Sequence, residues 1–260
     1  MRKLVNLILI LVLLSSCEKQ NPSGNADPEN VGIPLIESEM YGEDLGWKYT
    51  YNEANLPEII KTKWSYTRYF YNKNNEMTGY DRYEDPGIYS SHWETAQASM
   101  NRTEWVSPLN TERSVHAVME YNNGVLKKWT VNNLKFKTSV SRVFEFGEDG
   151  QMIRETFESG YVEYIYNDDG NLFQRKQYHD GKLSAMHEYE YDTYLNPFIV
   201  FKKLAQPGKF TNKNNIIKDS TTLYAGDGSI EDVFIEESSF EYNDKGYPVK
   251  KDDMVTYIYQ

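Results

Sequence analysis

Aromatic residues recur in pairs two positions apart along most of the chain: Tyr49/Tyr51, Tyr69/Tyr71, Phe144/Phe146, Tyr164/Tyr166, Tyr189/Tyr191, Phe240/Tyr242 and Tyr257/Tyr259, with Met119/Tyr121 a weaker copy. Side chains at i and i+2 leave a strand on the same face, so each pair marks one face of one strand. Most pairs run into a turn: Asn52-Glu53-Ala54-Asn55, Asn72-Lys73-Asn74-Asn75, Asn122-Asn123-Gly124, Gly147-Glu148-Asp149-Gly150, Asn167-Asp168-Asp169-Gly170 and Asn243-Asp244-Lys245-Gly246. Asn, Asp and Gly tolerate positive φ and bond their own backbone, which is the chemistry of a hairpin loop. Leu56, Met77, Val125, Met152, Leu172 and Tyr247 then restart the chain. Adjacent copies lie about 20 to 25 residues apart, one hairpin plus a connection.

This pattern predicts an all-β fold: an antiparallel meander of repeated hairpins, a dozen or more strands, forming a barrel-like or strongly curved sheet. Curling until the first strand meets the last is the complete answer to exposed edges. Helical signal is confined to a short turn near Thr95 to Met100. Arg154, Glu155, Glu163, Arg175 and Lys176 put charge on both faces of the strands, which argues against a membrane-spanning barrel. Two stretches break the repeat. Asp85 to His116 carries Tyr89, His92, Trp93 and Trp105; Lys202 to Asp219 carries Lys202, Lys203, Lys209, Lys213 and Lys218. Loops of that length in a regular sheet are functional or disordered.

The amino-terminal stretch has another logic. Arg2 and Lys3 precede an eleven-residue apolar stretch, Leu4 to Leu14, broken by Asn6 and closed by Leu14-Ser15-Ser16-Cys17. It is too short to span a bilayer and has the basic flank and small-residue end of a removable secretory signal. The expected organisation is therefore a lipoprotein signal peptide over 1–16, a lipid-bearing Cys17 with a flexible tether over 17–40, and a single β domain over 41–260. The tether is read from the Asn, Pro, Gly, Ser and acidic residues between Lys19 and Pro34. Acyl chains on Cys17 hold the chain to a membrane. Glu18, in place of the aspartate associated with inner-membrane retention, directs the expectation to the outer membrane, with the periplasmic or surface face left open.

Charge and cysteine content narrow the chemistry. Formal charge is −11, and removing the signal with Arg2 and Lys3 takes it to −13. Such an acidic surface repels phosphate backbones, so nucleic acid is not an expected partner. Cys17 is the sole cysteine. Once it is lipidated, no thiol remains for a disulfide, a cysteine-ligated zinc or a cysteine nucleophile.

The strand-turn units YIYNDDGNLF from Tyr164 and FEYNDKGYPVKK from Phe240 resemble the YD-type repeats of large bacterial surface and toxin shells. The lipobox, Asn214-Asn215, the FEYNDKGYP turn and the closing YIY resemble a family of Bacteroidota lipoproteins with a domain of unknown function described as having a porin-like fold. The resemblance covers most of Tyr49 to Gln260. It implies a topology and brings no catalytic residues.

Candidate chemistry is sparse. Asp168/Asp169, Glu148/Asp149 and Asp244 fall in turns, where Asp serves the backbone. Asn167 to Asn171 lacks the alternating oxygens and distal glutamate of an EF-hand loop. His92, His116, His179 and His187 form no HExxH and read as solvated imidazoles. There is no GxSxG elbow and no phosphate-cradling loop, so neither a cofactor nor an enzyme is expected. Trp93, Trp105 and Tyr89, outside the repeat, are the candidate ligand contacts, since exposed aromatics stack on sugar rings or anchor a protein. The leading expectation is a non-catalytic, lipid-anchored envelope protein that binds glycan or another surface protein. A structural accessory lipoprotein of an outer-membrane complex, docking through its acidic face or the Lys202 to Lys218 stretch, and a carboxylate-dependent glycoside hydrolase are the alternatives.

Overall fold

A computed structural model of the chain describes residues 32–202, 207–208 and 210–260. The signal, Cys17 and most of the tether therefore lie outside the described residues, as do Lys203 and Lys209. Seventeen strands make one antiparallel meander. They are β1 (Ile36–Tyr41), β2 (Asp44–Tyr51), β3 (Pro57–Lys61), β4 (Ser65–Tyr71), β5 (Met77–Glu84), β6 (Glu112–Asn122), β7 (Val125–Asn133), β8 (Thr138–Phe146) and β9 (Met152–Phe157). β10 (Gly160–Tyr166), β11 (Leu172–His179), β12 (Lys182–Leu195), β13 (Asn214–Tyr224), β14 (Ile230–Glu237), β15 (Phe240–Tyr242), β16 (Pro248–Lys251) and β17 (Val255–Tyr259) follow. One helix, α1 (Trp93–Met100), sits in the β5–β6 connection and extends the expected turn near Thr95 by two residues.

The first strand pairs with the last, Glu39 opposite Tyr257, so the sheet curls round to a barrel-like form. It does not close. The chain passes from β14 to β15 in line through Ser238 and Ser239, and no ladder joins those two strands. Ser238 N–H donates to the Ile217 carbonyl of β13 at 2.8 Å, whereas the Ser239 carbonyl accepts from Asp252 N–H, beside β16, at 2.9 Å. The strand thus changes partners at this point.

β1 begins five residues before the expected domain boundary at 41, which corrects the extent of the tether. The signal was masked because this strand buries polar residues, Ser38 and Glu39, alongside Ile36. Tyr49 donates its hydroxyl to Glu39, which satisfies one carboxylate oxygen in an otherwise apolar wall.

The turns work as their sequence implies. In four of them an Asn accepts at Oδ1 from backbone N–H groups two and four residues on: Asn52 from Ala54 and Leu56, Asn72 from Asn74 and Glu76, Asn167 from Asp169 and Asn171, Asn243 from Lys245 and Tyr247. The residue at the fourth turn position takes positive φ, at 58° for Asn55 and 84° for Gly170, and the register shifts there by a bulge.

The aromatic pairs divide their labour. First members such as Tyr49, Phe144, Tyr164 and Tyr257 are buried and line the inside. Second members tie successive hairpins together through their hydroxyls. Tyr51 donates to the Ile36 carbonyl, Tyr71 to Pro57, Tyr121 to Met77, Tyr166 to Met152, Tyr191 to Leu172 and Tyr259 to Pro248, all at 2.5–2.8 Å. Each tie satisfies a strand-start carbonyl that would otherwise meet an apolar interior.

The two ends of the barrel differ. At the end bearing the Asn-rich turns, a 3₁₀ turn from Pro197 to Phe201 inserts as a plug, with Phe198, Val200 and Phe201 buried against Tyr49, Ile36, Val255 and Tyr257. Phe201 meets Tyr49 edge-on at 5.0 Å, and Phe198 meets Tyr257 at 5.8 Å. Asn side chains pin the plug: Asn196 accepts from Phe198 N–H and donates to the Asn212 carbonyl, and Asn212 accepts from Leu172 N–H. The Lys202 to Asp219 stretch is therefore not one basic loop. It joins the plug to β13, where Lys218 pairs with Glu190 at 2.7 Å. The opposite end, where the β5–β6 excursion lies, is the mouth.

Candidate functional site

Register sorts the strand residues by face. Glu39, Trp47, Tyr49, Ile60, Thr67, Tyr69 and Arg82 share the inner face, because Glu39 pairs with Trp47, Tyr49 with Ile60, Ile60 with Thr67, and Thr67 with Arg82. These residues wall a chamber of about 290 Å³, with Phe210 at its inner side. A wider cleft of about 490 Å³ opens beside it at the mouth, walled in part by Tyr41, Asp44, Trp47, Lys63, Trp64, Arg82 and Glu84. Trp47, Thr62, Ser65 and Arg82 belong to both, so the cleft and the chamber are neighbours that share these side chains.

Each side chain in the cleft is held. Trp64 lies in the β3–β4 connection and donates its indole N–H to the Ser99 carbonyl at the end of α1, at 3.0 Å, which fixes the helix to the rim. Trp47 and Trp64 remain 41% and 40% exposed, enough for a ring face to meet a ligand. Arg82 Nε lies 3.0 Å from Glu84, and Lys63 lies 2.7 Å from Asp44. Deeper in, burial pushes the Tyr69 phenol well above its ordinary value, and burial together with the Glu39 carboxylate does the same for Tyr49. Those phenols stay protonated and act as donors. The cleft thus combines flat apolar faces with a rim of charged and hydroxyl groups, and each of its carboxylates is already engaged by a neighbour. Among the described residues, no group of three or more His, Cys, Asp and Glu is placed to hold a metal ion.

The sequence-predicted contacts are not gathered. Trp93, on α1, is 69% exposed, and Trp105 is half-buried before Val106; neither lines the cleft. Tyr89 donates to Glu84 at 3.2 Å, carries Lys135 Nζ 3.0 Å from its ring centre, and lines a separate recess with Arg113 and Leu134. Trp47 and Trp64 were missed. The signal for Trp47 was present, since Trp47-Lys48-Tyr49-Thr50-Tyr51 carries the aromatic face one step further, towards the mouth. Trp64 depends on the packing of α1 and has no local signal.

Two of the four histidines correct the expectation of solvated imidazoles. His116 Nδ1 lies 2.7 Å from buried Asp81, and His187 Nδ1 lies 3.1 Å from Asp219 and 2.9 Å from Thr221 Oγ1. His187 uses one nitrogen for both contacts, so it relays nothing between them. Carboxylates in the turns serve the backbone, as Asp149 does in accepting from Gln151 N–H. Glu155, fully buried, is engaged by Arg142 and by the Tyr164 hydroxyl at 2.9 Å. Arg154, Glu163 and Lys176 share the outer face through their register, whereas Glu155 lies inside, so charge does occupy both faces.

No protein-family model matches the chain, and no curated protein matches it. Among solved structures, the chain is similar to a porin-like protein from Bacteroides uniformis, with a TM-score of 0.43 and 10% identity, covering 86% of this chain and 98% of that one. A porin-like protein from Bacteroides vulgatus aligns with a TM-score of 0.39 and 10% identity, covering 87% and 99%. The porin-like description recurs there. The YD-type repeat and the lipid anchor rest on the sequence alone.

Proposed function

We propose that this chain is a non-catalytic cell-envelope protein, held to the outer membrane by lipid on Cys17, whose mouth cleft binds a glycan. The observation that carries the reading is Trp47, whose ring borders both the cleft and the inner chamber, with Trp64 and Tyr41 beside it and Arg82, Thr62 and Lys63 as donors. Sugar rings present an apolar face and an edge of hydroxyls, and aromatic faces bordered by polar groups answer both. Trp93, Trp105 and Tyr89, on the connection at the same end, are outer contacts for a longer chain. The described chain begins at the plugged end, where the Tyr247 hydroxyl donates to the Gly32 carbonyl at 3.4 Å.

The test is a thermal-shift screen of the full chain against soluble polysaccharides, followed by indole fluorescence titration of any ligand found. A ligand at a hundred times its dissociation constant stabilises the fold by about 2.7 kcal/mol, a shift of roughly 5–11 °C. Trp47→Ala is expected to abolish capture while Trp93→Ala weakens it. A flat panel from a cooperatively melting protein, or capture unchanged in Trp47→Ala, overturns the reading. Turnover of an oligosaccharide that disappears in Glu84→Gln replaces it with a hydrolase.

A further inference from the structure

β14 pairs with β13 on one side, and among the described residues no strand pairs with its other edge. All eight of its residues are exposed. In an antiparallel pair, residues that exchange backbone bonds with the partner alternate with residues that do not. Ser238 bonds Ile217 directly across the ladder, so Glu236, Phe234 and Asp232 also turn their N–H and C=O groups towards β13. Val233, Ile235 and Glu237 turn theirs outward, and Glu231 is the extra residue of the bulge opposite Leu223 and Tyr224. The Val233 N–H confirms the direction, because it is taken up by its neighbour Asp232 Oδ1 at 2.8 Å, away from the ladder.

The side chains of Val233, Ile235 and Glu237 share one face, with the exposed Glu231 at the end of the strand, so the free edge presents two apolar residues between acids, with Val233 51% and Ile235 63% exposed. Edge strands are ordinarily blunted by Lys, Pro or a bulge that twists them away. Ile230 to Glu237 contains neither Lys nor Pro, and its one register shift lies at the Ile230 end. What it has is negative charge. We propose that this edge accepts an extended basic strand of a partner protein, added antiparallel, with apolar residues beside Val233 and Ile235 and cations beside Glu231 and Glu237. Backbone bonds along the edge give the affinity and the alternate side chains give the choice of partner. A second copy of β14 fits poorly, because pairing this edge with itself brings together two strands that each carry Glu231, Asp232, Glu236 and Glu237 and no cation.

The experiment measures fluorescence anisotropy of two labelled peptides with the full chain, one reading Lys-Thr-Val-Thr-Val-Thr-Lys and the other Glu-Thr-Val-Thr-Val-Thr-Glu. The lysine peptide is expected to bind about tenfold tighter, with the margin shrinking as salt is raised. The double variant Glu231→Lys/Glu237→Lys inverts the preference. Ile235→Pro weakens both peptides, since it removes an outward N–H while β13 keeps its bonds. Thermal melts close to the parent's certify that each variant is folded. Absence of saturable lysine-peptide binding, equal affinity for the two peptides, or a preference unmoved by charge reversal overturns the proposal. Sedimentation that finds dimers of the parent chain, lost in Ile235→Pro, assigns the edge to a second copy and overturns it equally.

Discussion

Raising the pH is the most revealing perturbation of a barrel lined by phenols. Burial pushes twelve of them, Tyr49, Tyr51, Tyr69, Tyr71, Tyr121, Tyr164, Tyr166, Tyr189, Tyr191, Tyr242, Tyr257 and Tyr259, well above the ordinary value near 10. Their folded-state affinity for the proton is raised, so their contribution is fully present below about pH 10 and is lost as pH rises through and beyond it, where the unfolded chain releases protons that the fold retains. Each such phenol costs the fold on the order of 1 kcal/mol by about pH 11, relative to neutral pH. Together they cost on the order of 10 kcal/mol, comparable with a whole-domain stability of about 5–15 kcal/mol. Cooperative unfolding is therefore expected between about pH 10.5 and about pH 11. Near-ultraviolet circular dichroism follows the fold and tyrosinate absorbance follows the phenols. Of the 22 tyrosines, the exposed ones should ionise first, and the rest in a step coincident with loss of the dichroism signal. A single smooth ionisation curve centred near 10, with dichroism intact beyond about pH 11, would refute the buried-phenol argument.

The other predictions concern single sites. Arg142→Met leaves the fully buried Glu155 carboxylate with Tyr164 and without its cation, and is expected to cost about 2–3 kcal/mol in urea unfolding, below the 3–5 of a fully buried pair because Arg142 is about one-third exposed. Arg142→Met/Glu155→Met should recover most of that loss; a double-variant loss equal to the sum of the two single-variant losses would show that the pair is not coupled. Phe201→Ala removes the ring that seats the plug on Tyr49 and should cost about 3–5 kcal/mol, and a loss below about 1 kcal/mol would mean that the plug is not packed as described.

The aromatic pairs and Asn-rich turns made the meander legible because both rest on local rules: period-two alternation and positive φ. What escaped the sequence depends on residues far apart meeting. β1 was hidden because Glu39 looks solvated until Tyr49 supplies its donor. Phe198 and Phe201 look like ordinary connection residues until the asparagines of three segments fold them inwards. The hydroxyl ties explain afterwards why the second aromatic is so often Tyr and not Phe, a preference that alternation alone leaves open. Trp93 and Trp105 stood out by lying off the repeat, yet Trp47, hidden inside it, borders both the mouth cleft and the chamber.

The ladder between β1 and β17 makes the last residues a condition for the first. A chain that emerges amino end first presents Ile36 to Tyr41 long before Val255 to Tyr259, so β1 waits with one edge on β2 and the other bare. Contacts of such long sequence separation form late and slowly. Loss of the final strand would strip Tyr257 from Glu39 and Phe198 together, unseating the plug as well as the edge. The edge of β1 and the seat of the plug are then completed by the same docking event, that of Val255 to Tyr259.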